Sequence, residues 1–97
     1  MKIAWTRRAR EHVLEVIKLI RWDKPGAASK WADRVFTEVE TLADLPRRGR
    51  VVPEIERPNV RELLVDNYRV IYRIADNEVV ILAVRHGRRL LDPADLE

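Results

Sequence analysis

The chain has 97 residues, a net charge of +3 and no cysteine. This length predicts a single small domain, residues 1–97. The absence of cysteine excludes a disulfide framework, a thiolate metal site and a cysteine nucleophile. The longest uninterrupted apolar run, Val79–Val84, is far shorter than the roughly 20 residues of a membrane span. The N-terminus lacks the apolar segment of a signal peptide, so we expect a cytoplasmic protein with no membrane partner.

A short strand and a long helix are predicted first. The apolar run Ile3–Trp5 is typical of an edge strand, and the Thr6 hydroxyl is suited to capping the helix that follows. From Arg7 to about Trp22, apolar residues recur at spacings of three and four, which places them on one helical face. They are Ala9, Val13, Val16, Ile17 and Ile20. His12 also lies on this helix, and we expect it at the surface.

A second helix follows almost directly. Asp23 stands near its capping position, and Pro25 falls in the first turn, where proline is tolerated. Its apolar stripe comprises Ala28, Trp31, Ala32, Val35, Val39 and Leu42. The helix should end by Leu45, because Pro46 disfavours helical backbone in the residue before it. So short a connection predicts an antiparallel helical hairpin.

The second half of the chain predicts a loop and three strands. Residues 46–58 are rich in arginine and proline and are expected to be irregular. The strands are Val60–Val65, Tyr68–Ala75 and Glu78–Arg85, joined by tight turns at Asp66–Asn67 and Asp76–Asn77. The predicted fold class is therefore α+β, in the order β-α-α-β-β-β, with an antiparallel sheet packed against the N-terminal helical hairpin.

The middle strand has two chemically different faces. Tyr68, Val70, Tyr72 and Ile74 share one face, and Arg69, Ile71, Arg73 and Ala75 share the other. We expect the helices to cover the first face. The second face should then be partly open and carry arginines toward a polar partner.

Arginine is concentrated around this face and at the end of the last strand. Residues 46–97 contain ten arginines and no lysine, and the guanidinium group binds phosphate or carboxylate at two points. A biased coding preference would give the same composition. Arg69 and Arg73 should lie about 13 Å apart on one face. They could contact successive phosphates or two carboxylates of a partner, or pair internally with Glu62 or Glu78.

His86 follows the last strand and is flanked by Arg85 and by Arg88 and Arg89. These cations favour the neutral imidazole, which can act as a general base in phosphodiester cleavage while arginines stabilise the developing charge. Alternatively, His86 only hydrogen-bonds the backbone at the strand end. The chain has no metal-binding or nucleotide-binding motif, so no cofactor is expected. The three tryptophans, Trp5, Trp22 and Trp31, are expected in core or partner packing rather than in base stacking.

The order of elements, together with the strings NYRVIY at 67–72 and VRHGRR at 84–89, resembles the RelE/ParE superfamily of bacterial type II toxin–antitoxin toxins. The resemblance covers essentially the whole chain. It implies growth inhibition relieved by a cognate antitoxin, similar to ParD or RelB, whose acidic amphipathic C-terminal segment binds the toxin. It also implies a surface for the target or the antitoxin, made of Arg61, Arg69, Arg73, Arg85, Arg88 and Arg89.

Two activities divide that superfamily. RelE-like members cleave mRNA on the translating ribosome without a metal, and by resemblance Arg69, His86 and Arg88 would be the catalytic residues. ParE-like members poison DNA gyrase and are not known to be enzymes. This chain lacks the lysines that precede the strand arginine in RelE, and it has no tyrosine after Tyr72. These departures favour the ParE-like activity over the ribonuclease. A non-toxic interaction module is the third hypothesis.

Overall fold

The computed structural model describes residues 1–96; the last residue of the predicted domain, Glu97, lies outside this range. Within it there are two α-helices, five strands and two short 3-10 turns. The helices are α1 (Arg7–Asp23) and α2 (Pro25–Glu40), and the 3-10 turns are Thr41–Ala43 and Pro93–Leu96. The strands are β1 (Lys2–Trp5), β2 (Arg50–Val51), β3 (Val60–Val65), β4 (Tyr68–Ile74) and β5 (Glu78–His86).

The helical hairpin forms as predicted, except at its connection. Thr6 caps α1, because its hydroxyl oxygen accepts a hydrogen bond from the Ala9 N–H at 3.0 Å. Asp23 is the last residue of α1 rather than the cap of α2, so that prediction is wrong. The Lys24 N–H still bonds the Ile20 carbonyl at 2.7 Å, which keeps Asp23 within the last turn. Lys24 therefore precedes α2 without a side-chain cap, and Pro25 opens that helix.

The predicted fold class is confirmed, although the sheet is mixed rather than wholly antiparallel. Its strand order is β1-β5-β4-β3-β2, and β3, β4 and β5 form the predicted antiparallel meander. Only β1 is parallel to its neighbour, with Lys2 opposite Glu78 and Trp5 opposite Ile81. The loop predicted to be irregular contributes β2, a two-residue strand that pairs with β3.

The main core lies between the helices and one face of the sheet, as predicted. Both predicted helical stripes point into it. Trp31 is 2% exposed, and Val70 and Tyr72 on the middle strand are fully buried beneath the helices. The alternation read from β4 therefore identifies correctly the face that the helices cover.

The opposite face of the sheet is also covered, which the sequence did not predict. A second apolar cluster packs there, comprising Val52, Val60, Ile71, Val80, Leu82, Ala83 and Leu91. An irregularity in β5 contributes to it: Ile71 is opposite Ala83 while Tyr72 is opposite Ile81, so Leu82 and Ala83 both lie on this side. The expected open, arginine-bearing surface is thus largely replaced by a layer formed from residues 52–59, which we call the 50s loop, and from the C-terminal segment, residues 87–96.

His12 is buried, so the expectation that it lies at the surface is wrong. Pairing between β1 and β5 ends at Ile81, and α1 runs along the rest of that strand edge. There the His12 Nδ1 accepts a hydrogen bond from the Val84 N–H at 3.1 Å, and the side chain is 5% exposed. Thr6 donates its hydroxyl to the Leu82 carbonyl at 3.3 Å. The two side chains therefore satisfy backbone groups that a neighbouring strand would otherwise bond.

In the described part of the chain, residues 1–96, neither helix has the length and hydrophobicity needed to cross a membrane.

Candidate functional site

Arg69, the central arginine of the predicted site, is buried in a network of internal ion pairs. Its side chain is 5% exposed. The guanidinium donates through Nε to Glu62 at 2.7 Å, and a second nitrogen lies 2.6 Å from the same Glu62 oxygen. The guanidinium also donates to both carboxylate oxygens of Glu54, at 2.7 and 2.8 Å. It also donates to the Arg89 carbonyl at 3.0 Å. The alternative that Arg69 pairs with Glu62 is therefore correct, and its predicted exposure on an open face is wrong.

The network is electrically balanced. Arg50 donates to the second oxygen of Glu62 at 2.5 Å, so two arginines face two carboxylates. The Arg69 hydrogen bond is the main cause that lowers the pKa of Glu54 to about 2. Because these charges cancel within the protein, this part of the sheet face has little attraction left for a phosphate group.

His86 and Arg69 lie on opposite faces of the sheet. In the β4–β5 register His86 is opposite Tyr68, on the helix side, and Arg69 is opposite Arg85, on the other side. The His86 ring contacts the edge of the Tyr68 ring, with centroids 5.6 Å apart. Its Nδ1 accepts a hydrogen bond from the Arg88 N–H at 3.2 Å, the backbone contact considered as the alternative role. The structure does not bring this imidazole and the Arg69 guanidinium to one site.

The other predicted site arginines have different surroundings. Arg61 donates to the Pro58 and Gly49 carbonyls, each at 2.9 Å, and so holds the 50s loop. Arg73 and Arg88 are exposed, and neither makes a salt bridge with any residue from 1 to 96. These two guanidinium groups remain available to a partner.

Arg85 and Arg89 lie at the end of β5 and beyond it. Arg89 is half-exposed and reaches Asp95 at 3.6 Å. Arg85 is partly buried, and its Nε has no acceptor within the described residues. Burial, followed by the positive charge of Arg89, lowers the pKa of Arg85. Arg85, Arg88 and Arg89 thus bring cationic charge together at the C-terminal end of β5, whereas Arg73 lies apart from them, opposite Val80 near the start of that strand.

Sequence reasoning missed the contacts of two residues that hold the segment between α2 and β3, Glu54 and Tyr72. Glu54 lies in a loop that has no periodic pattern to indicate its direction, so nothing in the sequence pointed to its contact with Arg69. The Tyr72 hydroxyl donates to the Pro46 carbonyl at 2.7 Å and accepts from the Gly49 N–H at 2.9 Å. Burial raises the pKa of Tyr72. Alternation placed Tyr72 correctly in the core, and only its hydroxyl contacts were not foreseen.

An apolar groove opens between the two helices and the end of β1. It is lined by Trp5, Arg10, Val13, Leu14, Ile17 and Phe36. The Trp5 and Phe36 rings are in contact, with centroids 5.4 Å apart, yet Phe36 remains 47% exposed and Leu14 57% exposed. Apolar surface of this kind, with a cation at its rim, is suited to an amphipathic segment of another protein.

Over residues 1–96 no group of three or more histidine, aspartate or glutamate side chains is arranged to hold a metal ion.

Comparison with known proteins points to one family. The family model described as ParE toxin of type II toxin-antitoxin system, parDE, matches residues 3–91. Toxin RelE2 of Caulobacter vibrioides is 34% identical over 90 residues, which cover 92% of this chain and 98% of the relative. Y4kP of Sinorhizobium fredii is 34% identical over 90 residues, or 91% of this chain and 90% of that protein.

A solved structure supports the fold. The structure described as a chromosomal ParDE TA system from P. aeruginosa matches with a TM-score of 0.75. The match covers 89% of this chain and 95% of the other, at 24% sequence identity. The helical hairpin and the sheet described above therefore occur together in that chain as well.

Proposed function

Because this chain belongs to the ParE toxin family and is the toxin component of a type II toxin–antitoxin module, we propose that it arrests growth by poisoning DNA gyrase, without catalysing a reaction itself. A cognate antitoxin is its partner in the module. The proposed place of action is the cytoplasm, where gyrase works.

The observation that carries the gyrase proposal is the burial of Arg69. A ribonuclease of this superfamily would present this arginine to the mRNA, whereas here its donors are taken up by Glu54, Glu62 and the Arg89 carbonyl. His86 lies on the other face of the sheet. A general base and a charge-stabilising group must both lie within hydrogen-bond reach of the reacting phosphate. The separation of His86 from Arg69 therefore favours a toxin that binds gyrase over one that cleaves mRNA.

The apolar groove is the proposed site of the antitoxin. Leu14, Ile17 and Phe36 supply apolar surface, and Arg10 stands at the rim. An amphipathic antitoxin segment would place its apolar residues in the groove and its acidic residues against the cation, as in other helix-in-groove complexes. Arg73 and Arg88, which are exposed, are available for further acidic residues of the same partner.

The test is to express the toxin without its antitoxin and to follow both gyrase and mRNA. We expect purified toxin to inhibit DNA supercoiling and to trap cleaved DNA on gyrase, and we expect mRNA in the arrested cells to stay intact. Cells should form filaments and induce the DNA-damage response. Active gyrase in the presence of excess toxin would contradict the proposal.

The ribonuclease remains the second candidate, because a relative at 34% identity is named Toxin RelE2 and because His86 and Arg88 are exposed beside each other. His86→Ala separates the two functions. If His86 were a general base, its loss would reduce activity roughly 10²- to 10⁴-fold. Under the gyrase proposal the variant stops growth as strongly as wild type. Codon-positioned cuts in mRNA on translating ribosomes would support the ribonuclease, and normal growth would favour a non-toxic module.

A further inference from the structure

The end of α1 carries an exposed apolar pair. Trp22 is 92% exposed, and Leu19, one turn earlier, is 67% exposed. An indole in this position adds almost nothing to the core of its own domain. Tryptophan is among the residues most enriched at the energetic centres of protein interfaces, because it buries a large apolar area with few rotatable bonds. We call Leu19 and Trp22, together with the cations beside them, the hairpin tip.

The charge around the pair is positive. Lys18, Arg21 and Lys24 lie beside it in the sequence. The acidic residues nearby are Asp23 and, in the pocket that Leu19 lines, Asp66, whose charge is balanced by its ion pair with Arg34. None of the three cations makes a salt bridge with any residue the structure describes. The matching partner surface is an apolar recess with an acidic rim. Aliphatic Leu19 favours such a protein surface over a nucleic acid, whose phosphates offer it nothing to pack against.

The hairpin tip is separate from the groove assigned to the antitoxin. Leu14 lines the groove, and Leu19 points about 140° away from it around the helix axis. Trp22 lies about 12 Å further along the axis than Leu14. A segment seated against Leu14 and Phe36 can therefore leave the tip uncovered.

We propose that the hairpin tip is a docking surface for the protein that the toxin inhibits, with Trp22 and Leu19 entering an apolar recess on that target and Lys18, Arg21 and Lys24 facing its acidic rim. This inference rests on the proposed function, since it concerns the same toxic interaction. It assigns the target and the antitoxin to different parts of the helical hairpin.

The experiment compares Trp22→Ala with wild type and with Leu90→Ala, a control at an apolar residue that is 82% exposed elsewhere on the molecule. Each toxin is purified from its complex with the co-expressed antitoxin and titrated against gyrase. Trp22→Ala should require at least about tenfold more toxin for the same inhibition, as expected for an interface centre. Its melting temperature and antitoxin affinity should match wild type. Lys18→Glu combined with Arg21→Glu should weaken inhibition in the same way.

Four results would overturn the inference. Trp22→Ala could inhibit as strongly as wild type, or it could weaken antitoxin binding as much as inhibition, which would assign the tip to the antitoxin. Wild type could be a dimer that Trp22→Ala dissociates, which would assign the tip to a second copy. A DNA duplex bound by wild type and not by Trp22→Ala would assign it to nucleic acid.

Failure of the gyrase proposal is distinguishable from failure of this inference. If wild-type toxin stops growth and leaves gyrase active, the proposed target is wrong, and the comparison is then made on growth alone. Weaker growth arrest by Trp22→Ala than by Leu90→Ala would still support a target-docking tip. Equal arrest by the two variants would overturn it.

Discussion

Glu54 and Arg69 form a two-point ion pair, in which two guanidinium nitrogens meet the two carboxylate oxygens at 2.7 and 2.8 Å. Glu54 lies in the 50s loop and Arg69 on the middle strand, 15 residues apart in sequence. The carboxylate also accepts the Leu91 N–H at 2.9 Å. One acidic side chain thus fastens the loop and the C-terminal segment to the sheet, and it does so by using an arginine that resemblance alone would assign to catalysis.

Glu54→Gln should destabilise the protein. The substitution removes the negative charge that faces the buried guanidinium of Arg69. Removing one partner of a buried ion pair costs about 3 kcal/mol. The free energy of unfolding from urea titration measures the effect. Glu56→Gln, at an exposed position two residues away, is the control and should change that free energy by less than about 0.5 kcal/mol. Equal unfolding free energies for the two variants would mean that the pair contributes nothing.

The same carboxylate should make stability fall in acid. The pKa of Glu54 is about 2 in the folded protein against an ordinary 4.5, so folding favours its ionised form. This contribution of Glu54 to stability is complete above pH 4.5 and is lost as the pH falls toward 2, by about 3 kcal/mol in total. Unfolding free energies measured across this range should decline for wild type. The decline should be shallower for Glu54→Gln, and identical slopes would contradict the assignment.

The fold could be predicted from the sequence because each element carries its own periodicity. Spacings of three and four identified both helices, and alternation along β4 identified the face they cover. The layer on the opposite face could not be foreseen. It is built from Val52 and Leu91, which lie in segments without periodicity, and their packing depends on contacts distant in sequence.

The candidate site was harder to predict than the fold, because alternation gives the face of a residue and not its partner. Arg69 was placed on the correct face, but its burial depends on Glu54. The resemblance implies that His86 and Arg69 act together, yet the register places them on opposite faces. The sequence pattern predicts a surface position for His12, because it does not show that β1 ends before β5 does and so leaves backbone groups of β5 for His12 to bond.

His12 should make stability pH-dependent in a higher range. Burial is the main cause that lowers its pKa from 6.5, and the charges of Arg85, Arg8 and Arg89 lower it further while Glu15 opposes them. The unfolded chain therefore binds a proton that the folded protein resists. The contribution of His12 to the free energy of unfolding should be fully present above about pH 6.5 and should decrease as the pH falls below that value.

His12→Leu tests this assignment. It should remove the pH dependence just below pH 6.5, and it should cost about 1 to 3 kcal/mol at neutral pH, because the buried Val84 N–H loses its acceptor. His12→Gln keeps an acceptor oxygen and should cost less. The measurement is the free energy of unfolding at pH 7.5 and pH 5.5. An unchanged difference between the two pH values in His12→Leu would assign the dependence to another group.

Tyr72→Phe should destabilise the protein more than Tyr68→Phe. The Tyr72 hydroxyl serves both the Pro46 carbonyl and the Gly49 N–H, and its loss leaves those backbone groups unpaired. The expected cost is about 1 to 3 kcal/mol. Tyr68 lies on the same strand, and its hydroxyl makes no hydrogen bond within residues 1–96, so it is the matched control. Equal unfolding free energies for both variants would show that the loop finds other partners.

Gly49→Ala tests the same contact from the loop side. A Cβ at this position would lie 2.6 Å from the Glu62 carbonyl oxygen and 2.6 Å from the Tyr72 hydroxyl oxygen, closer than real side chains approach. Backbone oxygen cannot move aside as a flexible side chain can, so the loop must shift and the Tyr72 hydrogen bonds must lengthen. We expect a loss of about 1 to 3 kcal/mol in the free energy of unfolding. Gly26→Ala is the control, because a Cβ at position 26 would meet nothing within 4 Å. Position 26 lies in α2, where alanine is a better helix former than glycine, so this variant should have an unchanged or slightly higher free energy of unfolding. A stable Gly49→Ala variant would mean that the loop does not pack on Tyr72 as described.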